Sequence, residues 1–165
     1  MTQKTMIVAG GCFWGIEALF RKESGVLDTE AGYTGGKNDN PTYESHPGHA
    51  EALQITYDTD VTSYQTLLNF FFRIHNPTTL NQQGNDKGSS YRSAIFTSDA
   101  EEIKIAEETI DMVNESGKWG DPLVTTIEPL TRFWSAEDYH QDYLEKNPQG
   151  YTCHAIWFDS FTEPE

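Results

Sequence analysis

Cys12 stands in Gly10-Gly11-Cys12-Phe13-Trp14-Gly15, between an apolar stretch and a segment of helical spacing. A thiol at a helix start meets unpaired backbone N–H groups and partial positive charge, which favour the thiolate and hence a nucleophile. Paired glycines let the backbone come close to a bound molecule. Phe13 and Trp14 cannot both face the core, so at least one is left to wall an apolar pocket beside the sulfur. A buried structural cysteine in a glycine-rich turn is the other reading of the same residues. Cys153 follows Asn147-Pro148-Gln149-Gly150-Tyr151-Thr152, a Gly/Pro-rich segment expected to be mobile from about residue 147 and able to swing toward a reactive site. An attacking thiol and a resolving thiol fit this placement. Two unrelated thiols fit it as well.

Three clusters outside the apolar pattern could serve a thiol. Asn40-Pro41-Thr42-Tyr43 puts a phenol on a long loop, and Gly48-His49-Ala50-Glu51 puts a carboxylate where that loop runs into a strand. Gly84-Asn85-Asp86-Lys87-Gly88, followed by Tyr91-Arg92, adds a second carboxylate and a second phenol. A carboxylic acid can donate a proton and a phenol can hold a polar oxygen. Each is equally readable as a solvated loop side chain or a cap. His49 could act as the base of a Cys–His hydrolase. His46 and His49 flank Pro47-Gly48 with too few partners for a metal site, so no metal is expected.

These residues need a scaffold, and the apolar spacing supplies one. Thr5–Ala9 reads as a buried strand, Phe13–Glu23 as a helix stopped by Gly25, and Val26–Tyr33 as a returning strand. A Gly/Asn/Pro-rich loop spans Thr34 to about Gly48, and Glu51–Tyr57 alternates like a half-buried strand. Tyr64–His75 is a helix ended by Asn76-Pro77, Thr78–Ser90 a second loop of functional size, and Tyr91–Thr97 a strand. Ser98 with Glu101 forms a capping-box signature before a helix that stops at Gly117. Leu123–Leu130 is a further strand, and Ser135 with Asp138 opens a last helix halted near Asn147-Pro148. The first six elements run β-α-β-β-α-β. The expected fold is therefore α+β: a two-layer sandwich with a ferredoxin-like split βαβ core and additional helices and loops.

Length and composition exclude several function classes. The 165 residues suit one domain, 1–165, long enough to bury a core. Eleven Lys and Arg against 26 Asp and Glu leave a net charge of −15, which repels nucleic acid and acidic lipid headgroups. Four Trp, eight Tyr and nine Phe are too many aromatics for a disordered acidic tail. No apolar run approaches the ~18–20 residues of a membrane span or a signal peptide's apolar stretch, so a cytoplasmic protein is expected. Two cysteines make no disulfide framework. Nothing demands more than a monomer.

Seven segments occur together and in order: GCFWG (11–15), AGYTGG (31–36), NPTY (40–43), GHAE (48–51), QGND (83–86), YRSAIF (91–96) and KNPQGYTCH (146–154). On these the chain resembles the A-type peptide methionine sulfoxide reductases over nearly its whole length. GCFWG is the specific signature. The resemblance implies that Cys12 is the nucleophile and that Phe13 and Trp14 seat the substrate's S-methyl group. It implies that Glu51 protonates the sulfoxide oxygen, with Tyr43 and Tyr91 hydrogen-bonded to that oxygen, and that Asp86 helps to position the substrate. Cys153 would be the resolving cysteine, in a disulfide reduced by thioredoxin. Glu44-Ser45-His46-Pro47 is a shorter stretch than many members have, and Cys153 is the only cysteine near the C-terminus, so a single exchange should suffice.

The implied chemistry agrees with the residues. Reducing a sulfoxide needs a soft nucleophile, a proton donor and an apolar seat for the methyl group. Attack would leave Cys12 as a sulfenic acid, which Cys153 could condense to a disulfide. No cofactor is expected: the chain has no GxGxxG after its first strand and no P-loop lysine. A thiol peroxidase, a Cys–His acyl-transfer enzyme and a non-catalytic acidic binding module are the alternatives.

Overall fold

The computed structural model describes residues 3–11, 13–36, 39–46, 48–83, 86–130, 132–137 and 140–141. Its elements are β1 (Gln3–Gly10), α1 (Phe13–Phe20), β2 (Val26–Thr34), β3 (Ala50–Asp58), α2 (Tyr64–Ile74), β4 (Gln82–Gln83), β5 (Asp86–Lys87), β6 (Ser93–Phe96), α3 (Ala100–Ser116), β7 (Thr126–Glu128) and β8 (Phe133–Ser135). A 3-10 turn, Ser89–Tyr91, precedes β6. Six strands form one sheet in the order β7-β6-β1-β3-β2-β8, and β4 pairs with β5 in a separate small hairpin. Every described pairing is antiparallel except that of β6 with β7.

Side-chain alternation along the strands explains the layers. Met6 and Val8 of β1, Leu53, Ile55 and Tyr57 of β3, and Ile95 of β6 share one buried cluster with residues of all three helices. The intervening Ile7, Ala9, Ala50, Ala52, Ala94 and Phe96 form a second cluster on the opposite face. Burial on both faces is why β1 reads as a continuous apolar run rather than an alternating one. Among the described residues the architecture is α+β, with a mixed sheet and three α-helices.

Helix limits follow from local chemistry. In α1 the buried residues Phe13, Ile16, Glu17 and Phe20 fall at helical spacing. The helix ends at Phe20 rather than Glu23, because Lys22 and Glu23 donate to carbonyls only three residues back. Gly25 follows with φ 88°, where a side chain would also strike Thr62. Ser63 caps α2 by accepting from the Thr66 N–H at 3.1 Å. Asp99, not Ser98, caps α3: its carboxylate accepts from Glu101 and Glu102 N–H at 2.9 and 3.0 Å. Ser98 is committed elsewhere, its Oγ accepting from Leu130 N–H at 3.1 Å.

Four further expectations are corrected. The strand expected over Leu123–Leu130 is only Thr126–Glu128, because Val124 spends its N–H on the Pro77 carbonyl at 2.8 Å. Tyr91 closes the 3-10 turn instead of opening a strand, its N–H donating to Gly88 O at 3.0 Å. The segment 78–90 carries β4 and β5 rather than being irregular throughout. Ser135 does not cap a helix. It ends β8, which pairs with Gly32–Thr34 of β2. The helix expected from there to residue 147 lies mostly outside the described residues.

Candidate active site

The site grows from the edge where α1 begins above β2 and β3. Tyr33 of β2 lies opposite Glu51 of β3 in the ladder, and paired residues in an antiparallel sheet point to the same face. Glu51 lies two residues before Leu53, so both face the helices. Its Oε1 accepts from the Phe13 N–H at 3.3 Å. Glu51 is part of β3, as its strand spacing predicts, and at 1% exposed it is buried rather than half-buried. The contact joins Glu51 to the residue next to Cys12 in the chain.

Phe13 and Trp14 take different environments, as expected from their adjacency. Phe13 is fully buried with Ala31, Tyr33 and Ala136, and Trp14 lies half-buried against that cluster. The Phe13 ring centroid is 5.6 Å from that of Tyr33 and 5.2 Å from that of His140. Trp14 stacks on Tyr43 at 6.4 Å, and Tyr43 lies 4.7 Å from His140. The long loop and the helix start therefore meet in one aromatic cluster. Tyr43 is 37% exposed, placing it at the cluster's solvent side.

Two residues that the sequence reading did not single out hold this cluster together. The Trp14 indole N–H donates to His140 Nδ1 at 2.9 Å, so the neutral His140 ring carries its proton on Nε2. Burial pulls the His140 pKa below its ordinary value, opposed by the negative charge of Glu137. Glu137 takes the Tyr33 hydroxyl on Oε1 and the Tyr43 main-chain N–H on Oε2, both at 3.0 Å. Burial pushes the Glu137 carboxyl up, but hydrogen bonds from the Tyr43 amide, its own amide and the Tyr33 hydroxyl, with His140 nearby, bring it below the usual carboxylate range. The signal available in the sequence was a Glu and a His three positions apart, in a chain with only five histidines.

Of the remaining expected residues, Tyr91 is half-buried on a turn that lies against β3. Asp86 pairs through its backbone with Gln83 across the β4–β5 hairpin. Arg92 ties these parts together. Its guanidinium makes two hydrogen bonds to Glu128, at 2.9 and 3.0 Å, and donates to Gly48 O at 3.2 Å and Ser89 O at 2.9 Å. His49 is 2% exposed, and its Nδ1 accepts from Gly36 N–H at 3.1 Å. That bond gives His49 a place in holding the loop. Cys12 and Cys153 lie outside the described residues. No described helix is long and apolar enough to cross a membrane.

The chain matches a family model described as "Peptide methionine sulfoxide reductase" over residues 4–162. It is 58% identical over 151 residues to the peptide methionine sulfoxide reductase MsrA of Mycobacterium sp. (strain MCS), covering 92% of this chain and 88% of that protein. Among solved structures it is similar to reduced Mxr1 from Saccharomyces cerevisiae, with a TM-score of 0.87 and 38% identity over 94% of this chain and 93% of that one. It is also similar to Mxr1 in complex with Trx2, with a TM-score of 0.65 and 28% identity over 94% and 91% of the two chains. With the family model spanning nearly every residue and a relative this close over nine-tenths of the chain, the protein belongs to the peptide methionine sulfoxide reductase family.

Proposed function

We propose that this protein reduces the S epimer of methionine sulfoxide, protein-bound or free, to methionine, and so repairs oxidised proteins. The observation that carries the reading is the Glu51 carboxylate, buried on the helix face of β3 and bound to the Phe13 amide beside the Phe13, Trp14 and Tyr43 rings. A proton donor, an apolar aromatic seat and the residue next to a cysteine meet there.

In this mechanism the Cys12 thiolate attacks the sulfoxide sulfur while Glu51 delivers a proton to the oxygen. Tyr43 and Tyr91 hydrogen-bond that oxygen, Phe13 and Trp14 seat the S-methyl group, and Asp86 helps to orient the substrate. The sulfoxide sulfur gains two electrons and methionine leaves, while Cys12 gains the oxygen as a sulfenic acid. The Cys153 thiol then attacks that sulfur, forming a Cys12–Cys153 disulfide and releasing water. A thioredoxin dithiol restores both thiols, in keeping with the solved complex of yeast Mxr1 with Trx2. The two cysteines carry all the electrons, so the reaction calls for no metal, flavin or nucleotide. The protein would work as a cytoplasmic monomer.

Separate assays with the S and R sulfoxides of N-acetylmethionine, hydrogen peroxide and an activated ester test the reading. Turnover should be confined to the S sulfoxide and vanish in Cys12→Ser. Preferential turnover of the R sulfoxide, or sulfoxide reduction that survives in Cys12→Ser, would overturn it.

A further inference from the structure

The loop that carries Tyr43 is held to itself by short-range bonds. Thr42 and Ser45 exchange backbone hydrogen bonds at 2.9 and 3.1 Å, Thr42 Oγ1 accepts from Ser45 N–H at 3.0 Å, and the His46 ring bonds Thr42 O at 2.8 Å. Such a turn fixes its own shape but not its position on the sheet. Position comes from rings (Trp14 and His140 against Tyr43, and His46 stacked on Tyr33 at 4.9 Å) and, at Tyr43, from a directional bond of its main chain. That bond runs from the Tyr43 main-chain N–H to Glu137 Oε2.

Glu137 is itself fixed. Its other oxygen accepts from the hydroxyl of Tyr33, which is fully buried and sits opposite Glu51 in the β2–β3 ladder. A continuous path therefore runs from Glu51 across the sheet to Tyr33, through the Glu137 carboxylate, to the Tyr43 backbone. We propose that Glu137 is a positioning residue, which by bridging the Tyr33 hydroxyl and the Tyr43 amide sets where the Tyr43 phenol stands relative to Glu51. The inference rests on the proposed role of Tyr43 as a donor to the sulfoxide oxygen, and names what places that donor.

A carboxylate suits the task because both partners are donors and each oxygen takes one. Glutamine can replace it: its carbonyl accepts the Tyr43 N–H while its NH2 donates to the Tyr33 hydroxyl, which then turns to accept. Alanine can serve neither. A shift of a catalytic group by about 1 Å costs on the order of 10²-fold in rate, so loss of the tether should be visible in the chemical step.

The test is a double-mutant cycle on the full-length protein, following the single-turnover release of methionine from the S sulfoxide of N-acetylmethionine. Glu137→Ala should slow that step by roughly 10- to 100-fold, and Glu137→Gln should stay within about threefold of the parent. In a Tyr43→Phe background, Glu137→Ala should have almost no further effect, because the group it positions is already gone. A general loss of structure would instead add to the Tyr43→Phe defect, and thermal unfolding of each variant provides a second check. Additive losses, or an unimpaired Glu137→Ala, would overturn the positioning role while leaving the function of Tyr43 intact. An unimpaired Tyr43→Phe would overturn both.

Discussion

Tyr33 and Glu51 face each other across the β2–β3 ladder, and both reach Phe13, the first through its ring and the second through the backbone amide. The pairing places an acid and an aromatic floor side by side under the start of α1, using two strands that are adjacent in the sheet but separated by a long loop. One β-ladder register thus does the work of alignment. A slip of one residue in β3 would turn Glu51 to the opposite face, with Ala50 and Ala52.

Glu51→Gln tests the acid directly. It keeps an oxygen to accept the Phe13 N–H but has no proton to deliver. The reductase step should slow by roughly 10²–10⁴-fold, while the thermal unfolding midpoint changes little. Glu51→Ala should in addition lower stability by about 1–3 kcal/mol, because it strands the buried Phe13 N–H. Unchanged methionine release by Glu51→Gln in a single turnover would remove Glu51 from the mechanism.

His140 should be visible by NMR as a neutral ring with its proton on Nε2, since Nδ1 accepts the Trp14 indole N–H. Its folded pKa lies below the ordinary 6.5. The unfolded chain therefore takes up the proton first as the pH falls. The folded state keeps this part of its stability above pH 6.5 and loses it as the pH drops from 6.5 toward the folded value. A nitrogen-15 titration that placed the midpoint above 6.5, or the proton on Nδ1, would contradict the Trp14 contact.

The parts of the site that sequence reading reached are those whose chemistry is local. Phe13 and Trp14 adjoin one another in the chain and in the aromatic cluster, and glycines and a proline mark the segments with Tyr43 and Glu51. Burial was harder to read. Glu51 reads as the first residue of a half-buried strand, where spacing does not separate a solvated carboxylate from the 1% exposed one that β3 carries inside. Glu137 and His140 escaped notice because their partners are 94 to 126 positions away. Ser135 misled for a related reason: a Ser followed three residues later by Asp resembles a helix start, but pairing of Phe133–Ser135 with β2 decides the outcome.

Cys153→Ser separates a recycling thiol from a bystander. The variant should release about one equivalent of methionine per enzyme in a single turnover, because in the proposed mechanism the attack by Cys12 does not involve it. It should then stall with thioredoxin, leaving Cys12 as a sulfenic acid that a small external thiol partly rescues. Trapping the sulfenic acid with a dimedone-type reagent and weighing the adduct would show the stalled species. Normal thioredoxin-linked turnover would mean that Cys12 is reduced without Cys153.

Arg92 gives the last prediction, because its guanidinium binds Glu128 through two nitrogens while holding the Gly48 and Ser89 carbonyls. The first carbonyl belongs to the loop leading into Glu51, the second to the turn that ends at Tyr91. Lysine preserves the charge but cannot make this planar, forked contact. Arg92→Lys should cost about 1–2 kcal/mol, a drop of roughly 2–8 °C in the unfolding midpoint, and slow the single-turnover step by loosening both segments. Burial raises the Glu128 carboxyl, but bonds from Arg92 and Thr126 and the Arg92 charge bring it below 4.5. Since the unfolded carboxylate protonates first, the bridge stabilises the fold fully above the ordinary value, and this is lost as the pH falls from 4.5 through the folded value. The gap in unfolding midpoint between the parent and Arg92→Lys should therefore narrow as the pH falls from 6 toward 3, leaving the part that the carbonyl contacts contribute. A constant difference across that range would mean that Arg92 stabilises the protein through its carbonyl contacts alone.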